Sequence, residues 1–211
     1  YSTASFRASV VQGIEVAAAQ GQDTLVLTTG GRTERFVMRE LPSLAPACFV
    51  QMGDFIGTAL DTVVKQGVRH VVIGCMVGKL AKMAQGETLT HARRAEVDRG
   101  MLAELARRCG APPEVCEDIR RAETARYAAD RLADLGLSQA FHQALAHLVL
   151  DARLVSLQRF PQLEELAHEQ NEREDTENKE EGQSDFPKNI AVDNHMHGAI
   201  TKCRQCPPPP S

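Results

Sequence analysis

Tryptophan is absent from this chain of 211 residues, and aromatic residues make up only 4% of it. A core without large rings has to be filled by aliphatic side chains and alanine, which favours helices packed closely on a small sheet. Long apolar runs are missing as well. No window reaches about 18 consecutive apolar residues, so no transmembrane helix is expected. Excess charge of one sign is also missing: 24 Lys and Arg face 28 Asp and Glu, a formal net charge of −4. Bulk charge therefore offers no hold on nucleic acid. The opening residues, Tyr1-Ser2-Thr3-Ala4-Ser5-Phe6-Arg7, lack the basic-then-apolar order of a signal peptide. They also lack an initiator Met, which leaves a processed chain and a fragment both open. The six cysteines, at 48, 75, 109, 116, 203 and 206, follow no disulfide-scaffold spacing. The first four read as reduced, mostly buried thiols of a cytoplasmic protein.

What is present is unevenly spread. Residues 8–157 are rich in Ala, Val and Leu, whereas 168–189 are almost wholly polar. The expected organisation is one domain over 1–160 and a tail over 161–211. Within it, His168–Lys188 cannot bury enough apolar surface to offset its ordering entropy, so disorder or a solvated helix is expected there. Within the domain, Val10, Val11, Ile14, Ala17 and Ala18 recur at helical spacing up to Gly21. Residues 24–28 then form a run too continuously apolar for a surface strand, as in a parallel sheet covered by helices. A short helix over 34–40, a second strand over 47–52, a helix over 55–66 and a third strand over 68–73 follow. Lys79–Ala84 begins another helix. Beyond it the periodicity is helical over 93–108, 113–121, 123–135 and 138–153, with Ser138 as a plausible N-cap for the last. The predicted class is α/β: a small, mostly parallel sheet flanked by helices, a helical C-terminal portion and a disordered tail.

Each predicted strand empties into a glycine-containing corner. These are Thr28-Thr29-Gly30-Gly31-Arg32, Gly53-Asp54 and Gly74–Gly78. Open parallel sheets bind ligands at the carboxyl ends of their strands. Glycine there lets backbone N–H groups approach a ligand, and a following helix N-terminus adds partial positive charge. Arg32 can grip a carboxylate in a bidentate way, and Lys79 can meet a carboxylate or phosphate. Asp54 suits a ribose hydroxyl or an ammonium group, and equally the N-cap of helix 55–66. Lys79 also reads as a solvated helix residue. Thr90-His91 reads as a loop before a helix, where a lone His is commonly a cap or surface group. His142 and His147 read as surface or boundary residues, and Cys75 as a small buried hydrophobe. No GxGxxG or P-loop pattern narrows the ligand.

Taken in order, TLVLTTGGRTER, VQMGDFIGTALD and VVIGCMVGKLAKMAQGETLTHARRAEVD resemble the cobalt-precorrin-5B C1-methyltransferase family, CbiD. The resemblance covers roughly residues 1–150, and the GDFIG and GKLAKMAQG blocks are its specific part. It implies transfer of a methyl group from S-adenosylmethionine to C1 of a cobalt-bound, ring-contracted tetrapyrrole in anaerobic cobalamin biosynthesis, with cobalt present only as part of the substrate. Such a displacement needs in-line positioning and electrostatic support rather than a protein nucleophile. The residues expected to bind donor or substrate are Thr28, Thr29, Gly30, Gly31, Arg32, Gly53, Asp54, Gly74, Gly78, Lys79 and Thr90. His91 or Asp54 is expected to manage the macrocycle proton. The substrate's carboxylates would suit Arg32, Lys79, Lys82, Arg93 and Arg94. The resemblance also implies an N-terminal domain that nothing here matches, so the chain looks like the C-terminal part of a family member. Expected partners are the corrinoid substrate, other cobalamin-pathway enzymes or a separate N-terminal domain, but neither nucleic acid nor membrane.

Two other readings stand beside this one. A truncated homologue would retain a corrinoid or nucleotide pocket, or only dock to a partner, without turnover. A metal-handling accessory protein would act through the tail, where His195, His197, Cys203 and Cys206 form an H-x-H-x5-C-x2-C pattern suited to zinc or cobalt. That spacing matches no standard zinc finger, and no apolar residues surround it.

Overall fold

The computed structural model describes residues 2–91, 96–157, 190–193 and 198–202. Helix α1, Thr3–Ala19, starts earlier than its apolar stripe because the Ser2 hydroxyl caps it, accepting from the Ser5 N–H at 3.1 Å. Strand β1, Thr24–Thr28, falls on the predicted run, and α2, Gly31–Glu40, begins on the corner glycines themselves. A 3-10 turn at Pro46–Cys48 shortens the second strand to β2, Phe49–Gln51. Helix α3, Ile56–Lys65, stops at Gly67, whose φ of 66° suits a residue without a Cβ. Strand β3 is His70–Met76 and helix α4 is Val77–Ala84. The third strand thus ends three residues later than expected, absorbing Gly74, Cys75 and Met76, and passes directly into α4, which starts two residues earlier than expected. Helices α5 (Arg99–Arg108), α6 (Pro113–Arg121), α7 (Ala125–Asp134) and α8 (Ser138–Leu157) follow.

Strands β1, β2 and β3 pair in parallel with β1 central, setting Thr28 opposite both Gln51 and Gly74. All three carboxyl ends therefore lie along one edge. Most of 161–211, expected as a polar, disordered tail, lies outside the described residues, but its described pieces depart from that expectation by pairing with the sheet. They are β4 (Ile190–Asp193) and β5 (Gly198–Lys202), an antiparallel pair that extends the sheet beyond β3 in the order β2-β1-β3-β5-β4. Strand β5 runs antiparallel to β3.

Alternation along β1 separates two cores. Leu25 and Leu27 point into a large cluster with Ile14, Met52, Leu80, Leu102, Leu132, Phe141 and Leu145, which joins α1, α3 and the later helices. Val26 points the other way and packs with Phe36, Val37 and Val72 under α2. Each fully buried side chain of this size contributes about 1.5–3 kcal/mol. Alanines at 103, 106, 128 and 129 are fully buried and let α5 and α7 approach closely, in keeping with a chain poor in rings. His142 departs from its expected boundary position: it is fully buried, with Nδ1 2.7 Å from the Ser138 carbonyl oxygen one helical turn earlier. His147 is exposed, as expected.

Candidate functional site

The three strand ends are tied to one side chain. Lys79, in the first turn of α4, places Nζ 3.3 Å from the Thr29 carbonyl oxygen and 3.4 Å from that of Gly53. It also lies 3.1 Å from Asp54 Oδ1. The three N–H donors of the ammonium match these three acceptors. Backbone bonds close the same corner: the N–H groups of Met52 and Gly53 both donate to the Thr28 carbonyl, and Thr29 N–H donates to Gly74. Asp54 is not the N-cap of α3. That position is Phe55, which makes no side-chain cap bond, because the Asp54 carboxylate is drawn instead toward Lys79 and the Thr90 hydroxyl, which donates to Oδ1 at 3.2 Å.

A second lysine, one turn further along α4, holds the adjoining loop. Lys82 is 8% exposed, and its Nζ donates to the carbonyl oxygens of Thr90 and His91 at 3.4 Å each. Thr90 N–H donates to the Asp54 carbonyl, and Gly57 N–H to that of Thr88. The segment 88–91 is thereby stitched to both the second and the third corner.

Beside this network lies an open cleft of about 790 Å³, within the usual range for small-molecule sites. One wall is Asp54, Lys79, Lys82, Thr90 and the start of α4. The facing wall comes from the helical portion: Glu96, Arg99, Glu123, Thr124 and Arg126. A smaller cleft of about 460 Å³ runs along α1, between Phe6, Phe55 and Leu89. Asp54 and His91 line both, so the two expected proton-handling residues stand on the ridge between them. The helices that open onto the strand ends, α2, α3 and α4, have no side-chain N-cap; in α3 the Gly57 N–H is taken by the Thr88 carbonyl, which leaves the starts of α2 and α4 as the ones open to a ligand.

The family model described as "CbiD, C-terminal domain" matches residues 89–154. A protein from Methylococcus capsulatus named cobalt-precorrin-5B C(1)-methyltransferase is 67% identical over 150 residues, covering 71% of this chain and 39% of that protein. Its namesake from Paracidovorax citrulli is 64% identical over the same length, with 71% and 40% covered. The chain belongs to the CbiD family. It spans about two fifths of the length of these relatives. A more divergent namesake, from Leptospira interrogans, is 50% identical over 127 residues, with 60% and 35% covered. No solved structure matches the chain.

The CbiD C-terminal match supplies the loop at Thr90-His91 and the whole facing wall of the larger cleft. The corners themselves precede it. Among the corner glycines, two groups separate. A Cβ on Gly74 would stand 2.7 Å from Val37 Cγ2, and one on Gly53 (φ 60°) would stand 2.7 Å from the Phe6 ring. These two let other parts of the protein approach. A Cβ on Gly30 or Gly78 would meet nothing within 4 Å, and one on Gly31 only two side-chain ends near 3.8–3.9 Å. These three leave bare backbone facing open space. Thr28 is fully buried, its Cγ2 near Gly74 on the α2 side, and Arg32 is exposed outside both clefts. Arg93 and Arg94 lie outside the described residues, as do His195, His197, Cys203 and Cys206. Among the described residues no group of His, Cys, Asp or Glu is arranged to hold a metal ion, and no helix is long and apolar enough to cross a membrane.

Burial pushes the Cys75 thiol up to about 12, only partly offset by Lys79, so it is no nucleophile at neutral pH. Burial likewise raises Cys48 and Cys109. The facing-wall residues escaped the sequence reading. Arg99 and Arg126 carry no motif and reach the cleft only because α7 packs against α4 and α5 packs against α7. Gly57 was also missed, although a Cβ there would stand 2.8 Å from Thr88. The GDFIG block that contains it was the available signal.

Proposed function

We propose that this chain forms part of an enzyme that transfers a methyl group from S-adenosylmethionine to C1 of cobalt-precorrin-5B, giving cobalt-precorrin-6A in the anaerobic route to cobalamin. The observation that carries the reading is the composition of the larger cleft. Its near wall is Asp54 of the second corner with the end of β3 and the start of α4, and its facing wall lies within the residues that match the C-terminal domain of the methyltransferase family. The names of the relatives support both a methyl acceptor of this class and a methyl donor. The free thiols among the described residues suit a cytoplasmic protein. Covering two fifths of the relatives' length, the chain works in this reading with the remaining part of such a protein.

The residues present fit S-adenosylmethionine as donor. Bare backbone at Gly30, Gly31 and Gly78, next to uncapped helix starts, suits its carboxylate. Asp54 suits its ribose hydroxyls or ammonium group. When bound, the donor supplies a methyl group on an electrophilic sulfonium. The chain's own part is positioning. Lys79 fixes the spacing of the three corners, and the facing wall narrows the space in which donor and acceptor meet. Asp54 Oδ1 is occupied by Lys79 and Thr90, so its second oxygen is the one to accept the macrocycle proton. His91, on the same ridge, is the alternative acceptor.

Titration with S-adenosylmethionine tests the donor site. Gly30→Val, Gly78→Val and Asp54→Asn are each expected to weaken binding about tenfold, the loss of roughly one charge-assisted hydrogen bond or close approach. Unchanged affinity in all three removes the corners from the donor site. Failure of the wild-type chain, supplied with the rest of a family member, to methylate cobalt-precorrin-5B removes the activity.

A further inference from the structure

The two lysines of α4 are chemically alike but engaged differently. All three donors of Lys79 have acceptors within the protein, one of them the Asp54 carboxylate. Lys82 is more deeply buried, yet it has only two long bonds to neutral carbonyl oxygens. No carboxylate among the described residues pairs with it. A buried ammonium without a counter-charge is costly unless an anion reaches it. Lys82 lines the larger cleft, where an anion has access.

We propose that Lys82 is the anion-recognition residue of this cleft and takes one carboxylate of its ligand, while Lys79 is a positioning residue that no ligand touches. The inference rests on the functional reading above and deepens it. The charge on the walls argues for a carboxylate over a phosphate dianion. Lys79, Lys82, Arg99 and Arg126 face Asp54, Glu96 and Glu123, leaving a single positive charge over. With two of its N–H groups already engaged, Lys82 has one to give, which suits one oxygen of a monoanion. The carboxylates available are those of the donor's amino-acid end and those on the macrocycle rim.

Equilibrium binding with paired probes separates these sources. S-adenosylhomocysteine carries the amino-acid carboxylate and 5′-methylthioadenosine lacks it. Cobyrinic acid carries rim carboxylates and its heptamethyl ester lacks them. Lys82→Gln retains N–H groups for the Thr90 and His91 carbonyls while removing the charge. It is expected to weaken one carboxylate probe by about tenfold or more, leave the matching carboxylate-free probe within about twofold, and abolish the salt dependence of the weakened pair. Lys82→Arg is expected to restore most of the affinity. The pair that responds names the source. The inference is overturned if Lys82→Gln binds both carboxylate probes as the wild type does, or weakens probes with and without carboxylates equally. A wild-type chain that binds none of the four overturns the functional reading, and the inference with it.

Discussion

The strand-and-corner half of the chain and the helical half contribute opposite walls of one cleft, but by different means. In the first half the local sequence specifies most of the geometry: an apolar run and a helix start set each corner, with a glycine between them at the first two. In the second half nothing local marks a site. Arg99 donates to the Ala122 carbonyl at 3.2 Å, and Thr124 caps α7 by accepting from the Tyr127 N–H at 3.3 Å. Both are ordinary helix-end residues until packing carries them to the cleft. One apolar cluster runs through both halves, from Leu25 and Leu27 to Leu132 and Phe141, and this shared core holds the walls at their spacing. A ligand site can thus be half motif and half consequence of packing.

The strongest challenge to that shared core is Phe141→Ala. The ring is fully buried, and its loss should cost about 3–5 kcal/mol. Thermal unfolding should still show a single transition, shifted down, by helix content and by a probe near the corners alike. Two separated transitions would mean that the halves are independent. Next in size is Gly74→Ala, whose Cβ would press on Val37. An overpacking cost of about 1–3 kcal/mol is expected, read as a lowered denaturant midpoint with little change in ligand affinity at temperatures where the variant is folded. Lys79→Met should cost about 1 kcal/mol, modest because the pair with Asp54 is roughly 30% exposed. It should weaken every ligand of the cleft together, unlike changes at Lys82. Gly78→Ala should instead stabilise by about 0.5 kcal/mol, since the added methyl meets nothing, while lowering ligand affinity. Greater stability with undiminished binding would remove Gly78 from the ligand site.

The smallest effect is a pH dependence of the strand half. Burial lowers His70 below its ordinary 6.5, so the folded state holds it neutral more firmly than the unfolded state does. The stability this provides is fully present above pH 6.5 and is lost as pH falls through that value toward the lower folded-state pKa. His70→Gln should flatten this part of a stability profile measured by urea unfolding. An unchanged slope would assign it to other groups.

The sequence made the strands and the order of the corners legible because a continuous apolar run between glycines has few alternatives. It misplaced the third corner because Gly74 looks like a turn residue. Only the packed structure reveals that the glycine makes room for Val37. It left Asp54 open between cap and ligand contact, since either role needs the same carboxylate. The Lys79 and Thr90 contacts arise from residues 25 and 36 positions away, beyond any local pattern. His142 followed an amphipathic count to the helix boundary, whereas a bond to the Ser138 carbonyl lets it sit inside.

The brace at Lys79 also bears on the order of events in folding. Its partners lie 50 and 26 residues back along the chain, so closing it requires β1 to have docked already beside β3 and β2 beside β1. Contacts of such long separation are formed late, after their loop-closure entropy has been met by other contacts. An interaction absent from the transition state acts on the unfolding rate. Losing the Lys79 ammonium should therefore hasten unfolding while leaving the refolding rate nearly untouched, and the site's lifetime in the open-and-shut traffic of the native chain would shorten accordingly.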